Sequence, residues 1–363
     1  MVPSTAKPFP QPSVMRVSTA YHLLHDNPSP PRVLILEARQ ACFGATGRNG
    51  KSFKFQKCLD INTQLRDRIS GVKFAKGCFH YTAAHIWPYK FVLHLLSTLT
   101  SRGSSSVNLQ TNTPVTEISE TPDPVTGAWT VVTKSRGSIK AKKVILATNA
   151  YTAAIAPQYA DRIVPIRGIC SRIVTPEKKT PPYLPNTYSL QWGAEEYDYL
   201  IPRPDGSIIV GGGRKDYVAD LESWYNNTDD REPIQSAKNY FDGYMQHNII
   251  GWEDSDAYTE QVWSGVMGFS TDLLPHVGPI PGKPNQYILA GFSGHGMPMA
   301  FLTAKGIAKM IRNDEESGDL PFEKTGIPRL YKTTRERLEC DRNDILAVKF
   351  GVDKVKAGGK VWI

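Results

Sequence analysis

Three short segments carry residues that could bind a nucleotide or another anionic group. Residues 32–37 (RVLILE) form an apolar run that ends in Glu37, and an acid at this point of a dinucleotide fold accepts hydrogen bonds from ribose hydroxyls. Residues 44–50 (GATGRNG) contain three glycines, which let backbone N–H groups approach a phosphate or a ring edge. Residues 291–296 (GFSGHG) join an apolar run to a helix-like segment, where N–H groups and the helix dipole favour an anion. Each segment taken alone also fits an ordinary strand end or glycine turn.

The apolar patterns around these segments predict a doubly wound α/β sheet. We expect helices over residues 18–25, 87–100 and 299–311, and buried strands over 32–37, 107–109, 128–133, 143–147 and 286–290. The order of apolar strand, turn and helix is typical of a parallel sheet with helices on its faces.

A second architecture is predicted from residue 162 onward. Candidate strands at 163–166, 197–201 and 207–210 are short and bounded by proline and glycine, which favours an antiparallel sheet. We therefore expect a dinucleotide domain at 13–160 and 285–315, an antiparallel substrate sheet at 161–284, and a charged, loosely packed tail at 316–363. A single dinucleotide domain requires the strands at 32–37 and 143–147 to share one sheet.

Composition narrows the class of protein and its partners. The chain has 363 residues, of which 40% are hydrophobic and 21% charged, as in folded globular proteins. Its net charge of +8 comes from scattered lysines and arginines, which favours a solvated surface over a nucleic-acid site. Five widely spaced cysteines without a CxxC pair argue against a disulfide framework or a zinc site and favour a reducing, cytoplasmic location. We expect no metal site and no membrane span.

Seven segments together resemble the D-amino-acid oxidase superfamily, specifically its glycine and sarcosine oxidase-like branch common in fungi. In the order of the family they read STAYHLL, VLILEARQACFGATGRNG, HIWPYKFVLHLL, KVILATNAYT, YLIPRPDGSIIVGG, WSGVMGFSTDLLPHVG and GFSGHGMPMA. The resemblance implies a GR2-type FAD-binding domain interleaved with an antiparallel substrate-binding sheet. It also implies oxidation of a C–N bond, in which an amine passes a hydride to flavin N5, oxygen reoxidises the flavin, and the imine hydrolyses.

The resemblance also assigns site residues. Glu37 matches the ligand of the adenosine ribose, and Val115 matches the residue whose backbone meets adenine. Tyr199, Trp263 and Arg214 match positions that face the substrate, although each also fits an ordinary sheet residue. The other cofactor positions are Ala45, Thr46, Arg48, Asn49 and Gly50 around the diphosphate and flavin, Ala147 in the second dinucleotide motif, and Gly291, Ser293, Gly294, His295, Gly296 and Met297 at the flavin pyrimidine edge. For His295 the spacing alone favours a packed histidine.

Three departures from the family pattern bear on cofactor binding. No glycine precedes Gly44, so the GxGxxG loop has no counterpart, and residues 51–70 replace a longer stretch. Residues 263–268 lack the cysteine to which the family attaches flavin, so FAD would be noncovalent. The chain thus resembles a truncated family member, and we expect it to purify with little FAD. Two alternatives stay open: a flavin-free remnant without catalysis, and a biosynthetic flavoenzyme that acts on a larger metabolite.

Overall fold

The computed structural model describes residues 14–49, 51–61, 70–193, 196–312 and 320–350, with 51–61 as backbone only. The helices are α1 (Val14–Leu24), α2 (Pro88–Thr100), α3 (Leu221–Trp224), α4 (Tyr244–Asn248), α5 (Gly296–Arg312) and α6 (Arg335–Glu339). The strands are β1 (Val33–Leu36), β2 (Lys51–Ile61), β3 (Cys78–Ile86), β4 (Val107–Gln110), β5 (Val115–Ile118), β6 (Trp129–Thr133), β7 (Ser138–Ala141), β8 (Val144–Leu146), β9 (Ile163–Val174), β10 (Tyr188–Gln191), β11 (Tyr197–Pro202), β12 (Ile208–Gly211), β13 (Tyr258–Ser270), β14 (His276–Pro279) and β15 (Gln286–Ala290). No helix in these ranges combines the length and apolar character needed to cross a bilayer.

Helices α1, α2 and α5 share one hydrophobic core with parallel strands. Buried apolar residues recur at helical spacing, such as Val17 and Leu24 in α1 and Ile307 in α5. β1 lies parallel to β4, and β8 lies parallel to β15. Ile35 of β1 and Leu289 of β15 enter the same core as the helices. The predicted fold class, parallel strands covered by helices beside an antiparallel sheet, is confirmed.

The parallel strands do not form one sheet, and the prediction that the strands at 32–37 and 143–147 share a sheet was wrong. Within the described ranges β1 pairs with β4 alone, while β8 pairs with β15, which β14 extends in the antiparallel direction. Side chains of β1 and β15 instead meet in the core that they share with the helices, so packing rather than strand pairing joins them. β14, which lies within the range predicted for the substrate sheet, pairs with β15.

Five strands form the antiparallel sheet that the sequence predicted. Their order is β10-β11-β12-β9-β13, and every neighbouring pair is antiparallel. From Arg167 to Val174, buried and half-buried residues alternate along β9, so the sheet has two different faces. Ile169 and Ile173 on one face join a core with Trp224 and Phe241. The opposite face of the sheet is half-buried and is available for contacts with other parts of the chain.

Two smaller sheets complete the described chain. β5, β6 and β7 form a three-stranded antiparallel sheet, and β2 pairs with β3. Trp129 of β6 is buried, and its indole Nε1 donates to Pro284 O at 2.8 Å. This bond fixes the small sheet to the turn between β14 and β15.

Residues 320–350 pack closely on the molecule, which corrects the expectation of a loose tail. The Thr333 N–H donates to Val277 O of β14 at 2.9 Å. Arg337 of α6 donates to the Asp272 carboxylate through Nε (2.7 Å) and Nη2 (2.9 Å). Further acceptors for Arg337 are the carbonyls of Leu274, Pro275, Tyr331 and Lys332. One guanidinium therefore joins α6 to the segment before β14.

Arg337→Ala should lower the free energy of unfolding by about 1–3 kcal/mol, because it leaves the half-buried Asp272 without its cation and four carbonyls without a donor. Thermal and urea unfolding would measure this loss. Arg335→Ala, which removes an exposed arginine of the same helix, should stay within about 0.5 kcal/mol of the wild type. Equal stability of the two variants would contradict the assigned role of Arg337.

Candidate functional site

Glu37 lies where the carboxyl end of β1 meets the start of α1. The described part of the segment GATGRNG, residues 44–49, lies close by and is called the glycine turn below. This side chain is fully buried; Oε1 accepts from the Arg39 N–H (2.9 Å) and Oε2 accepts from Arg16 Nη1 (2.9 Å). Beside it, the Val14 N–H donates to Thr46 Oγ1 at 3.4 Å. Two predicted cofactor residues, Glu37 and Thr46, are thus both in contact with the first turn of α1.

Burial dominates the electrostatics of this ion pair. It raises the pKa of Glu37 to about 8, although Arg16 and the Arg39 N–H pull that pKa down. Burial likewise lowers the pKa of Arg16, against the opposite pull of Glu37. Both groups therefore lie in a low dielectric, where the charged form of each depends on its partner.

A second buried ion pair joins the segment after β1 to the loop between α3 and α4. Arg39 binds Asp230 through two hydrogen bonds of 2.9 Å, and Asp230 is 2% exposed. Arg48 Nη1 donates to the carbonyls of Asp230 and Ser264, both at 2.8 Å, while its Nε donates to Phe43 O at 3.0 Å. The guanidinium of Arg48, a predicted cofactor residue, is thus bound to the protein itself. Asp230 was not identified from the sequence, because its partners are distant along the chain.

Asn49 closes the glycine turn and keeps one acceptor unused. Its Nδ2 donates to Ala45 O (2.6 Å) and Thr46 O (3.0 Å). Its Oδ1 is buried, and no residue in the described part of the chain donates to it. Buried polar atoms nearly always have a partner, so Oδ1 is suited to a donor on a ligand. Gly50, also predicted here, lies outside the described residues.

One row of residues crosses four strands of the antiparallel sheet. Tyr199 of β11 lies opposite Gly211 of β12, Gly211 opposite Cys170 of β9, and Cys170 opposite Trp263 of β13. Directly opposed residues project from one face, so the predicted substrate residues Tyr199 and Trp263 share that face with Cys170. Tyr199 Oη lies 2.8 Å from Cys170 Sγ. Gly211 allows this contact, because a Cβ there would lie 2.2 Å from Tyr199 Cζ.

This face of the sheet lies against the glycine turn. Trp263 Nε1 donates to Arg48 O at 2.8 Å. A Cβ on Gly265, two residues along β13, would lie 3.6 Å from Ala45 Cα. The predicted cofactor turn and the predicted substrate face are therefore neighbours in space.

The glycine-rich segment that leads into α5 packs against the same sheet. It contains the predicted residues Gly291, Ser293, Gly294 and Gly296. Asn149 Oδ1 accepts from the Gly291 N–H (3.0 Å), and the Ser293 N–H donates to Gly268 O of β13 (2.9 Å). The backbone of β13 also lies close to the segment that follows β8, since a Cβ on Gly268 would lie 2.6 Å from the nitrogen of Ala150. The start of α5 is thus held at the edge of this interface.

The other residues predicted to meet the cofactor take different places. Ala147 and Met297 are buried in the core beneath α5. His295 is exposed, with Nδ1 3.0 Å from Ser293 O, so the interpretation of a packed histidine was wrong. Val115 lies on β5 in the small antiparallel sheet.

Arg214, the third predicted substrate residue, contacts Phe350 near the end of the described chain. It donates to Phe350 O, and its guanidinium lies 4.8 Å from the centroid of the Phe350 ring. Burial raises the pKa of Tyr217, while Arg214 lowers this pKa and Cys170 raises it. Arg214 and Cys170 therefore both act on the pKa of Tyr217, in opposite directions.

Asp198 is a buried carboxylate beside this region that the sequence analysis did not single out. It is 1% exposed and lies next to Tyr199 on β11. Its donors are Trp192 Nε1 (2.7 Å), Tyr240 Oη (2.6 Å), Tyr244 Oη (2.8 Å) and the Gly213 N–H (3.0 Å). Four donors satisfy a carboxylate that would otherwise be costly to bury. The sequence feature that could have identified Asp198 is an acidic residue inside the apolar strand YDYLIP.

The described residues fit a dinucleotide cofactor at the interface of turn and sheet. Asn49 supplies a buried acceptor with no protein donor in the described ranges. The seventeen-residue helix α5 begins at Gly296 on the edge of the interface, and the free N–H groups of a helix start favour an anionic group. The basic side chain of Arg16 lies beside Glu37.

Comparison with known proteins matches most of the chain to one family. The family model described as FAD dependent oxidoreductase matches residues 54–310. Gamma-glutamylputrescine oxidoreductase of Escherichia coli is 23% identical over 266 residues, which cover 72% of this chain and 55% of that protein. Glycine oxidase of Pseudomonas aeruginosa is 25% identical over 51% of this chain and 45% of that protein. The chain thus spans about half the length of these curated relatives.

Solved structures share the fold at low sequence identity. Glycine oxidase from Geobacillus kaustophilus superposes with a TM-score of 0.65 and 14% identity, covering 90% of this chain and 97% of that chain. L-proline dehydrogenase from P. horikoshii gives a TM-score of 0.60 and 16% identity, covering 86% and 93%. These likenesses support the fold class; the fungal branch and the truncation stay predictions.

Glu37→Gln should change how stability depends on pH. Burial raises the Glu37 pKa from 4.5 to about 8, so the folded chain holds this proton more tightly than the unfolded chain between these values. The stability of the wild type should therefore fall as the pH rises through this window, by at most roughly 1.4 kcal/mol for each unit of pKa difference. Melting temperatures of Glu37→Gln over the same range should lack this fall. Parallel curves for the two proteins would show that Glu37 is ionised throughout.

Gly211→Ala should displace Tyr199, since the added Cβ would lie 2.2 Å from its ring. We expect a loss of about 1–3 kcal/mol in unfolding free energy, as for other overpacked sites. Gly77→Ala is the matched control, because a Cβ there meets nothing within 4 Å. If Gly211→Ala melts like Gly77→Ala, Tyr199 does not depend on this glycine.

Proposed function

We propose that this chain, which belongs to the FAD dependent oxidoreductase family, oxidises the C–N bond of an amine or an amino acid. The observation that carries the proposal is the contact between the glycine turn and the sheet face of Tyr199, Cys170 and Trp263. Two relatives are named for gamma-glutamylputrescine and glycine, which both carry an amine nitrogen, and this supports the substrate class.

Residues on both sides of the interface would hold the cofactor without a covalent bond. They are Thr46 and Asn49 in the turn, Gly294 and Gly296 at the start of α5, and Arg16, which Glu37 holds in place, on the nucleotide side. FAD, when bound, supplies the acceptor for a hydride from the substrate carbon and passes the electrons to oxygen. The contact of Trp263 with Arg48 closes the turn over the sheet, which limits the access of water.

The substrate would be bound and oriented by the row on the sheet. The hydroxyl of Tyr199 would contact the substrate, and its hydrogen bond with Cys170 holds it in position. The indole ring of Trp263 would supply an apolar surface, and its hydrogen bond to Arg48 O holds the ring in position. Arg214 supplies positive charge nearby for a carboxylate on the substrate. A neutral amine that gives up a hydride becomes an iminium ion, and water would hydrolyse this ion to a carbonyl compound and an ammonium ion, so no base has to remove a proton from the substrate carbon.

A flavin-free protein without catalysis is the second candidate, and the ion pair of Arg16 and Glu37 favours it. The carboxylate expected to meet a ribose is fully buried and already bonded to protein donors. A cofactor would have to bind without that carboxylate or displace Arg16.

Titration of the purified chain with FAD should produce a visible flavin spectrum, and anaerobic addition of a substrate should bleach it. Glycine, sarcosine, L-proline and gamma-glutamylputrescine form a suitable first panel, with peroxide release in air as the second measurement. Tyr199→Phe should raise KM about 3- to 10-fold, as expected for one lost hydrogen bond. Tyr258→Phe, which alters an exposed tyrosine of the same sheet, should leave KM unchanged.

The outcomes separate the two candidates. A chain that binds no FAD would support the flavin-free protein. FAD binding without bleaching by any amine or amino acid would contradict the substrate class and favour a different flavin reaction.

A further inference from the structure

Arg16 is a cation in the first turn of α1 whose guanidinium the protein uses only in part. Its side chain is 14% exposed. Nη1 makes both of its hydrogen bonds, to Glu37 Oε2 at 2.9 Å and to Leu36 O at 2.5 Å. A guanidinium carries five N–H donors, so the three on Nε and Nη2 are left without an acceptor within the described ranges.

Glu37, by contrast, has no exposed surface with which to meet a ligand. One of its oxygens accepts from the Arg39 N–H and the other from Arg16. A ribose hydroxyl would have to break the buried contact between Glu37 and its donors, which is costly because polar or charged groups are left without a partner in a low dielectric. Arg16 can meet a ligand while both of its existing bonds remain.

We propose that Arg16 binds the diphosphate of a nucleotide cofactor and that Glu37 is the residue that positions Arg16. The inference rests on the proposed function, because FAD contains an adenosine diphosphate. A planar guanidinium binds phosphate oxygens through two parallel N–H bonds. Arg16 also lies at the positive end of the α1 dipole, which favours an anion.

The sequence gives a reason for a side chain to take this role. A glycine loop binds a diphosphate because backbone N–H groups can approach it without a Cβ in the way. No glycine occurs before Gly44. A guanidinium reaches beyond its own backbone, and here Glu37 and Leu36 O hold it in place, so it is not the freely moving charge that an exposed arginine would be.

Calorimetric titration with ADP, adenosine, FAD and riboflavin would isolate the diphosphate contribution. Arg16→Gln should weaken ADP and FAD about 10- to 100-fold, the effect of losing charge-assisted hydrogen bonds, and should leave adenosine and riboflavin nearly unchanged. Arg32→Gln, which alters an exposed arginine just before β1, should leave all four affinities unchanged. Melting curves and circular dichroism would verify that each variant is folded.

Glu37→Gln tests the positioning role. It should weaken ADP in the wild-type background and have no further effect in Arg16→Gln, because Glu37 acts through Arg16. A direct contact between Glu37 and the ribose would instead weaken adenosine as much as ADP, and the loss would persist in the double variant. That result would overturn the assignment.

The inference and the proposed function can fail separately. If Arg16→Gln binds ADP and FAD like the wild type, the inference is wrong while amine oxidation stands. If the wild type binds ADP in an Arg16-dependent way but oxidises no amine, only the proposed function is wrong. A wild-type chain that binds neither ADP nor FAD would overturn both.

Discussion

The bidentate ion pair between Arg39 and Asp230 holds together the two surfaces that form the candidate site. Arg39 lies two residues after Glu37, and Asp230 lies in the loop before α4, 191 residues away along the chain. Both charges are buried, so each is stable only while the other is present. Because Arg48 donates to Asp230 O and to Ser264 O of β13, the same cluster also fixes the glycine turn to the sheet.

The close contact between the glycine turn and the antiparallel sheet depends on glycine residues, which have no side chain, as much as on the buried charges. Gly211 leaves room for the Tyr199 ring, and Gly268 leaves room for the backbone at Ala150. A methyl group at either position would push apart surfaces that the ion pair holds together, since a packed interior accommodates added volume poorly. The glycines therefore determine how closely the two surfaces approach, and the buried charges determine their position relative to each other.

The separation of the parallel strands into two sheets explains why α1 matters for the site. β1 and β8 are not hydrogen-bonded to each other or to a common strand in the described part of the chain. Their relative position is instead maintained by the shared hydrophobic core of α1, α2 and α5. Packing is less directional than a strand ladder, so the contacts of Arg16 and Val14 with the end of β1 and the glycine turn supply the orientation that a shared sheet would provide.

Most of the local structure could be predicted from the sequence. The helices predicted at 87–100 and 299–311, the strand at 286–290 and the change to an antiparallel sheet follow from hydrophobic periodicity and from proline and glycine spacing, which are local properties of the chain. The family and its cofactor also followed from segments such as GATGRNG and GFSGHG, because each motif is a continuous stretch of sequence.

The contacts within the site were decided by the tertiary structure. The pairing of Arg16 with Glu37 spans 21 residues, that of Tyr199 with Cys170 spans 29, and that of Arg39 with Asp230 spans 191. Such contacts depend on strand register and on how helices and sheets pack, and a shift of one residue in register would turn Tyr199 to the opposite face of the sheet. The sequence alone determined which residues could bind a nucleotide or a substrate. Only the folded chain determined which of them already bind each other, because burial and distance, rather than residue type, set the partner of each charge.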